Sequence, residues 1–427
     1  MSFLVWSCVF FIAFFIYDDL HKNFKVTILV SVSKEKFINI IAVNVGVIEM
    51  NSKYNLLFDQ VTLPNGMILK NRIMMAPMTH SSSNEDGTVS DAELEYYARR
   101  SNGASVVVTA VAYVTDNGVG FPGQFSVTDD SFVPGLKKLA DTIKKQGAKA
   151  VLQIFHAGRL SPPDLVSGDV VSASAITSER PGSPEPRELQ DAEIVSIIKD
   201  FGEATRRAIE AGFDGVEIHG ANGYLIQQFF SPHSNRREDR WGGDVEKRLT
   251  FPLAVIDSVQ SAVKKYAKGP FIVGYRFSPE EPETPGLTME DTFVLTDALL
   301  EKNLDYLHVS LGDFWSKPRR GADDSKTRME WIAERVGNRV PLIGVGNIQT
   351  ADEALSALNT NVSMIALGRE LIVEPDWVEK IESGNEEHIA VHLTKEDQER
   401  LVLPDPLWNM ILGVPGWFPV LDLEESK

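Results

Sequence analysis

Hydrophobic positions fall in a repeating pattern from residue 72 onward. Short apolar runs alternate with longer stretches whose apolar residues recur at helical spacing. The runs are RIMMAPM (72–78), ASVVVTAVAYV (104–114), KAVLQIF (149–155), FDGVEIH (213–219), PFIVGYRF (270–277), LDYLHVS (304–310), VPLIGVG (340–346) and VSMIALG (362–368). Runs that stay apolar or β-branched along their length suit parallel strands covered on both faces. The stretches between them carry helix start signals. Ser90 stands three before Glu93, Thr350 three before Glu353 and, more loosely, Thr288 three before Asp291, the spacing of a capping box. The stretch 190–212 ends on Gly212, where a C′ glycine belongs. Eight strand–helix units in roughly 300 residues predict an α/β fold of the (β/α)8 barrel type. An open doubly wound sheet is the alternative, but no GxGxxG follows the first run.

The first 49 residues break the pattern. FLVWSCVFFIAFFI (3–16) is about 14 apolar residues, fewer than the ~20 that span hydrocarbon as a helix. It lacks the flanking charge and cleavage site of a signal peptide. A membrane anchor, an uncleaved signal-like segment and translated upstream sequence compete. The abrupt change at Met50, followed by a polar start and a short hairpin pattern, favours the last. The expected organisation is an atypical apolar segment (1–49), a barrel (50–385) and a C-terminal extension (386–427). The cytoplasm is the expected location, or a membrane surface if residues 1–49 anchor the chain.

Composition narrows the chemistry. A net charge of −18 repels phosphate and argues against nucleic acid or an anionic membrane as partner. One cysteine, Cys8, excludes an internal disulfide, a cysteine-ligated iron–sulfur cluster and a Cys-rich zinc site.

In a (β/α)8 barrel the chemistry sits where strands end. Runs seven and eight end in GVGN and GRE, so Gly346, Asn347, Gly368 and Arg369 read as a phosphate site built from backbone N–H groups and one guanidinium. Thr79, Gln153 and Arg276 offer polar groups from other strand ends. Together they suit a flat heteroaromatic monophosphate, and FMN fits. Arg276 has a second reading, an internal ion pair with Glu217. The fourth run leads into HGANGY. His219 and Asn222 are N–H donors able to hold one carbonyl oxygen, and the Tyr224 phenol could deliver a proton. Asn and Tyr are poor metal ligands, so no metal site is expected.

These strand ends resemble the old yellow enzyme family of FMN-dependent ene-reductases. The resemblance covers roughly residues 54–380. It rests on NRIMMAPMTH, VLQIFHAGR, EIHGANGYLIQQFFSPHSNRREDRWGG, GYRFSP, LIGVGNI and ALGRELI. The H-x-x-N-x-Y motif followed by SP-x-SN-x-R-x-D is highly specific. The resemblance implies flavin contacts from Ala76, Pro77, Met78, Thr79, Ala110, Gln153 and Arg276. It places the phosphate on Gly346, Asn347, Gly368 and Arg369. His219 and Asn222 would bind the substrate's activating oxygen and Tyr224 would protonate Cα. NADH or NADPH would supply hydride, and the substrate would be an alkene conjugated to a carbonyl or nitro group.

Three departures matter. One branch of the family has Cys in place of Thr79 and Tyr in place of Ser81. Larger relatives add a four-cysteine cluster and a second flavin domain, for which this chain lacks the cysteines and the length. In the tail, Trp408 and Trp417 read as anchors for a homo-oligomer contact or for packing within one subunit. Two other functions compete. A phosphate-binding lyase or isomerase would need a lysine or carboxylate base at a strand end; the only lysine in the runs, Lys149, sits at a strand start. A non-catalytic flavin sensor would have no use for Tyr224.

Overall fold

The computed structural model describes residues 11–14, 27–30, 50–320 and 323–421. All eight apolar runs form strands: β1 Ile73–Met75, β2 Val106–Tyr113, β3 Lys149–Phe155, β4 Gly215–Gly220, β5 Ile272–Phe277, β6 Tyr306–Val309, β7 Leu342–Val345 and β8 Met364–Leu367. Each pairs in parallel with its sequence neighbours, and β8 pairs with β1, so the sheet closes into a barrel. Helices cover the outside, which is why the outward faces of the strands are apolar and buried. The helix starts are those the sequence marks: Ser90, Thr288 and Thr350 each complete a reciprocal capping box. Gly212 has φ +83°, one residue past the cap of the helix Asp191–Glu210.

Strand alternation sorts the core into two layers. Ile73, Met75, Val216, Ile218, Val273 and Tyr275 face the helices. Met74, Val106, Val151, Ile272, Ile343 and Met364 fill the barrel interior with Val61, Leu63 and Leu69, which belong to the hairpin Val61–Thr62/Ile68–Leu69 and its turn. The same alternation decides which polar residues reach the interior. Gln153 on β3, Glu217 and His219 on β4, Arg276 on β5, and Tyr306 and His308 on β6 occupy its inward positions above the apolar layer.

The C-terminal extension packs on the barrel. Leu401, Leu407, Trp408 and Phe418 join the main hydrophobic core, and the Arg100 guanidinium donates to the Leu401 carbonyl. Trp408 is therefore a core residue of this subunit.

Most of residues 1–49 lie outside the described residues, and the expectations about that segment lie there too. Among the described residues no helix is long and apolar enough to cross a membrane.

Candidate active site

At the C-terminal ends of β7, β8 and β1 opens a cavity of about 630 Å³, a size suited to a cofactor. Ala76, Pro77, Met78, Gly346, Asn347, Gly368 and Arg369 line it, with Arg276 at one side. Its roof is the tail segment Gly416–Pro419, a contribution that strand-end reasoning missed. The Arg369 guanidinium donates to the Trp417 carbonyl at 2.8 Å and to Asn347 Oδ1 at 2.6 Å. Trp417 thus belongs to the roof of this site.

One glycine is required here by its neighbours. A Cβ on Gly346 (φ +150°) would come within 2.3 Å of the Phe314 nitrogen, a backbone atom that cannot give way, whereas one on Gly368 would meet only the flexible end of Met78, at 2.9 Å from Sδ.

Behind Arg276, which lines the cavity, stands a buried polar cluster on the inward faces of β3, β4 and β6. The Arg276 guanidinium is buried, donates to Ser310 Oγ at 3.1 Å, and keeps an unpartnered Nε. Burial pulls its pKa down, and the charge of Glu217 opposes that shift. No direct ion pair joins the two. Glu217 is held by Gln153 Nε2 at 2.6 Å, the Tyr306 hydroxyl at 2.9 Å and His308 Nδ1 at 2.9 Å. The Arg276–Glu217 pair weighed from the sequence is thereby corrected: the short runs hid Tyr306 and His308, whose i, i+2 spacing was the available signal. Gln153 was expected as an inward donor, but one of its N–H groups is committed to Glu217. Ala110 lies in the irregularity between Val108 and Val111, where its N–H donates to the Tyr97 hydroxyl at 2.7 Å. Thr79 is half-buried and follows the cavity-lining Ala76, Pro77 and Met78 without lining the cavity itself.

The HGANGY loop forms the rim. His219 is buried, and its Nδ1 accepts the Ala221 N–H at 3.3 Å. Burial, then the positive charge of Arg276, lower its pKa to about 3. The ring is therefore neutral, and with Nδ1 accepting, the proton sits on Nε2. Asn222 is exposed, with φ +59°. Its Oδ1 accepts from Ser310 Oγ at 2.9 Å and from Ser278 Oγ at 3.3 Å. Arg276 can only donate, so it occupies an acceptor site on Ser310 and turns that hydroxyl toward Asn222. The outcome is that Asn222 keeps its Nδ2 hydrogens for a ligand. Tyr224 packs edge-on against His219 (5.2 Å between centroids) and Phe155 (4.5 Å). Burial raises its pKa, with Arg180 opposing, so the phenol holds its proton at neutral pH. Arg180 has no periodic signal in the sequence, while Ser278 and Ser310 continue the two-residue phase of Arg276 and His308 past the strand ends.

These groups fit FMN. The glycine-lined end offers backbone and a guanidinium to a phosphate, and the unpartnered Arg276 Nε needs an acceptor. Among the described residues no cluster of three His, Cys, Asp or Glu could hold a metal ion.

Fold and site define a flavin-dependent barrel oxidoreductase. The model of the NADH:flavin oxidoreductase / NADH oxidase family matches residues 56–388, and the chain belongs to that family. A probable NADH-dependent flavin oxidoreductase of Bacillus subtilis is 55% identical over 87% of this chain and its own entire length. The NADH:acrylate oxidoreductase of Vibrio harveyi is 44% identical over 83% of this chain, which spans only 36% of that larger protein. Among solved structures, morphinone reductase in complex with tetrahydroNAD superposes with a TM-score of 0.69 at 26% identity, covering 87% of this chain and 99% of the other. The protein is an oxidoreductase that uses FMN with NADH or NADPH.

Proposed function

We propose that the enzyme reduces the C=C bond of an α,β-unsaturated carbonyl or nitro compound at the expense of NADH or NADPH. Bound FMN supplies the hydride-transfer chemistry. Gly346, Asn347, Gly368 and Arg369 would hold its phosphate. Ala76, Pro77, Met78, Thr79, Ala110, Gln153 and Arg276 would hold its ring. His219 Nε2–H and Asn222 Nδ2–H would bind the substrate's activating oxygen and stabilise the charge it develops. Tyr224 would give its proton to Cα. The barrel at 50–385 is the working unit in this reading, and the extension 386–427 closes the cofactor cavity.

One observation supports this reading above the others. The Ala221 N–H fixes His219 as a neutral Nε2–H donor, and the Arg276–Ser310 pair leaves Asn222, three residues on, a donor as well. A sensor would not need two oriented donors next to a protonated phenol. Two relatives are named for acrylate and fumarate, which are also activated alkenes. The chain spans little more than a third of each (36% and 38%), so conjugated acids belong in the substrate screen.

The test is anaerobic stopped-flow kinetics with 2-cyclohexenone. Tyr224→Phe should slow alkene reduction by about 10²–10⁴-fold, the span of general acid catalysis, while reduction of the flavin by the nicotinamide stays unchanged. Equal slowing of both half-reactions would remove Tyr224 from the proton-donor role.

A further inference from the structure

We propose that Glu217 is a positioning residue: it fixes which end of the Gln153 amide faces the cofactor, and its charge sets the electrostatic balance of the cofactor floor through Arg276. The inference rests on the FMN reading above and extends it to a residue with no contact role there.

Glu217 is fully buried. Its Oε1 accepts from Gln153, and its Oε2 accepts from Tyr306 and His308. All three donors come from inward positions on β3 and β6, flanking β4 and β5. Room for the Tyr306 ring is made by Gly274, where a Cβ would meet Tyr306 Cζ at 2.1 Å. Burial opposes ionisation of Glu217, but His308, then Arg276 and the Tyr306 hydroxyl, outweigh it and hold the carboxyl at about 2. Burial pulls the His308 ring below its ordinary range against the charge of Glu217, and toward an ionised carboxylate its Nδ1 can only donate.

An ionised carboxylate offers no proton. The Gln153 nitrogen must therefore face Glu217, because a flipped amide would set two oxygens 2.6 Å apart. The Gln153 Oε1 acceptor is turned away from Glu217, available to an N–H on the bound ring. The second consequence is electrostatic. Arg276 is buried and its charge is offset by Glu217 without direct contact. Taking the carboxylate away leaves that cation uncompensated beside the cofactor, which favours the more negative, reduced ring.

The experiment uses the full-length protein with FMN as probe. Glu217→Gln keeps the shape and removes the charge and the acceptor-only character. FMN dissociation, read by flavin fluorescence, should weaken at least tenfold. The ratio of reduced to oxidised FMN affinity should rise about tenfold, about 30 mV upward for a two-electron couple. Tyr306→Phe removes one donor and leaves the charge, so it should lower thermal stability and leave the potential in place. Unchanged affinity and potential in Glu217→Gln, or an equal potential shift in Tyr306→Phe, would overturn the proposal. Should Glu217→Gln fail to fold, Glu217→Asp keeps the charge and loses the reach to Gln153. It should bind FMN more weakly at unaltered potential, and unchanged affinity would overturn the proposal in that case. Neither readout involves an alkene, so failure of the ene-reductase reading would be seen separately, as absent cyclohexenone turnover.

Discussion

Two side-chain amides, Gln153 and Asn222, are oriented by opposite means. Gln153 is buried and faces an ionised carboxylate. Asn222 is exposed on the rim and takes its direction from two serine hydroxyls. A buried amide that turned its oxygen to Glu217 would lose a charge-assisted bond and gain a repulsion, a cost of several kcal/mol. The rim amide can exchange its serine bonds for water at about 1 kcal/mol. In the proposed reading the cofactor end is thus rigid and the substrate end adaptable. That division suits an enzyme with one cofactor and more than one ligand visiting its upper face. Arg276 belongs to both ends, since it feels Glu217 below and turns Ser310 above.

Separate losses would break or sharpen the contrast. Asn222→Leu should cut alkene turnover by about 10²–10³, as loss of an oxyanion donor does, with FMN retained on gel filtration. Gln153→Leu should do the reverse, weakening FMN binding by about tenfold or more with little change in the ratio of alkene to nicotinamide rates. If both variants lost flavin equally, the two ends would not be independent. Ser310→Ala should raise KM for the enone about fivefold, the worth of one neutral hydrogen bond, and Ser310→Thr should restore it. No change in KM would mean that Asn222 orients itself.

Acid titration probes the buried histidines. Burial is the main cause holding His80, His156 and His219 each at about 3. The unfolded chain binds protons on them below the ordinary value of 6.5, and the folded chain does not. Stability is therefore complete above 6.5 and falls as pH drops toward 3, which thermal melts will read. A smaller effect of opposite sign belongs to Glu370. Burial, then Glu374 and Glu353, raise its pKa to about 9, and both carboxyl oxygens lack partners. Stability attached to its protonated form is lost as pH rises from 4.5 toward 9. Glu370→Gln should raise the melting temperature by a few degrees at pH 8 and by nothing near pH 4.5. A gain that did not grow with pH would point to packing instead.

Much of this was legible in the chain. The eight runs became the eight strands because a parallel strand covered on both faces must be apolar throughout, and only a helix-length interval can return it to the same sheet edge. Ser90, Thr288 and Thr350 marked helix starts because capping is local chemistry. His219, Asn222 and Tyr224 were visible because they follow one strand within six residues. Hidden from view were Tyr306 and His308, which stand inside a run that reads as apolar, and Ser310, which looks like a loop serine. The tail's place over the phosphate end was hidden too, since Trp417 is 48 residues from Arg369.

The sequence by itself determined the class of fold, the order of its strands and the residues that end them. Period, composition and capping act over a few residues, so they survive being read in one dimension. Only the tertiary structure decided which of those side chains meet. Closing the sheet brought β3, β4 and β6 around one carboxylate and set a guanidinium, a hydroxyl and an amide in line at the rim. Such contacts depend on inward register and on distances of about 3 Å between residues dozens of positions apart, and no local pattern records them.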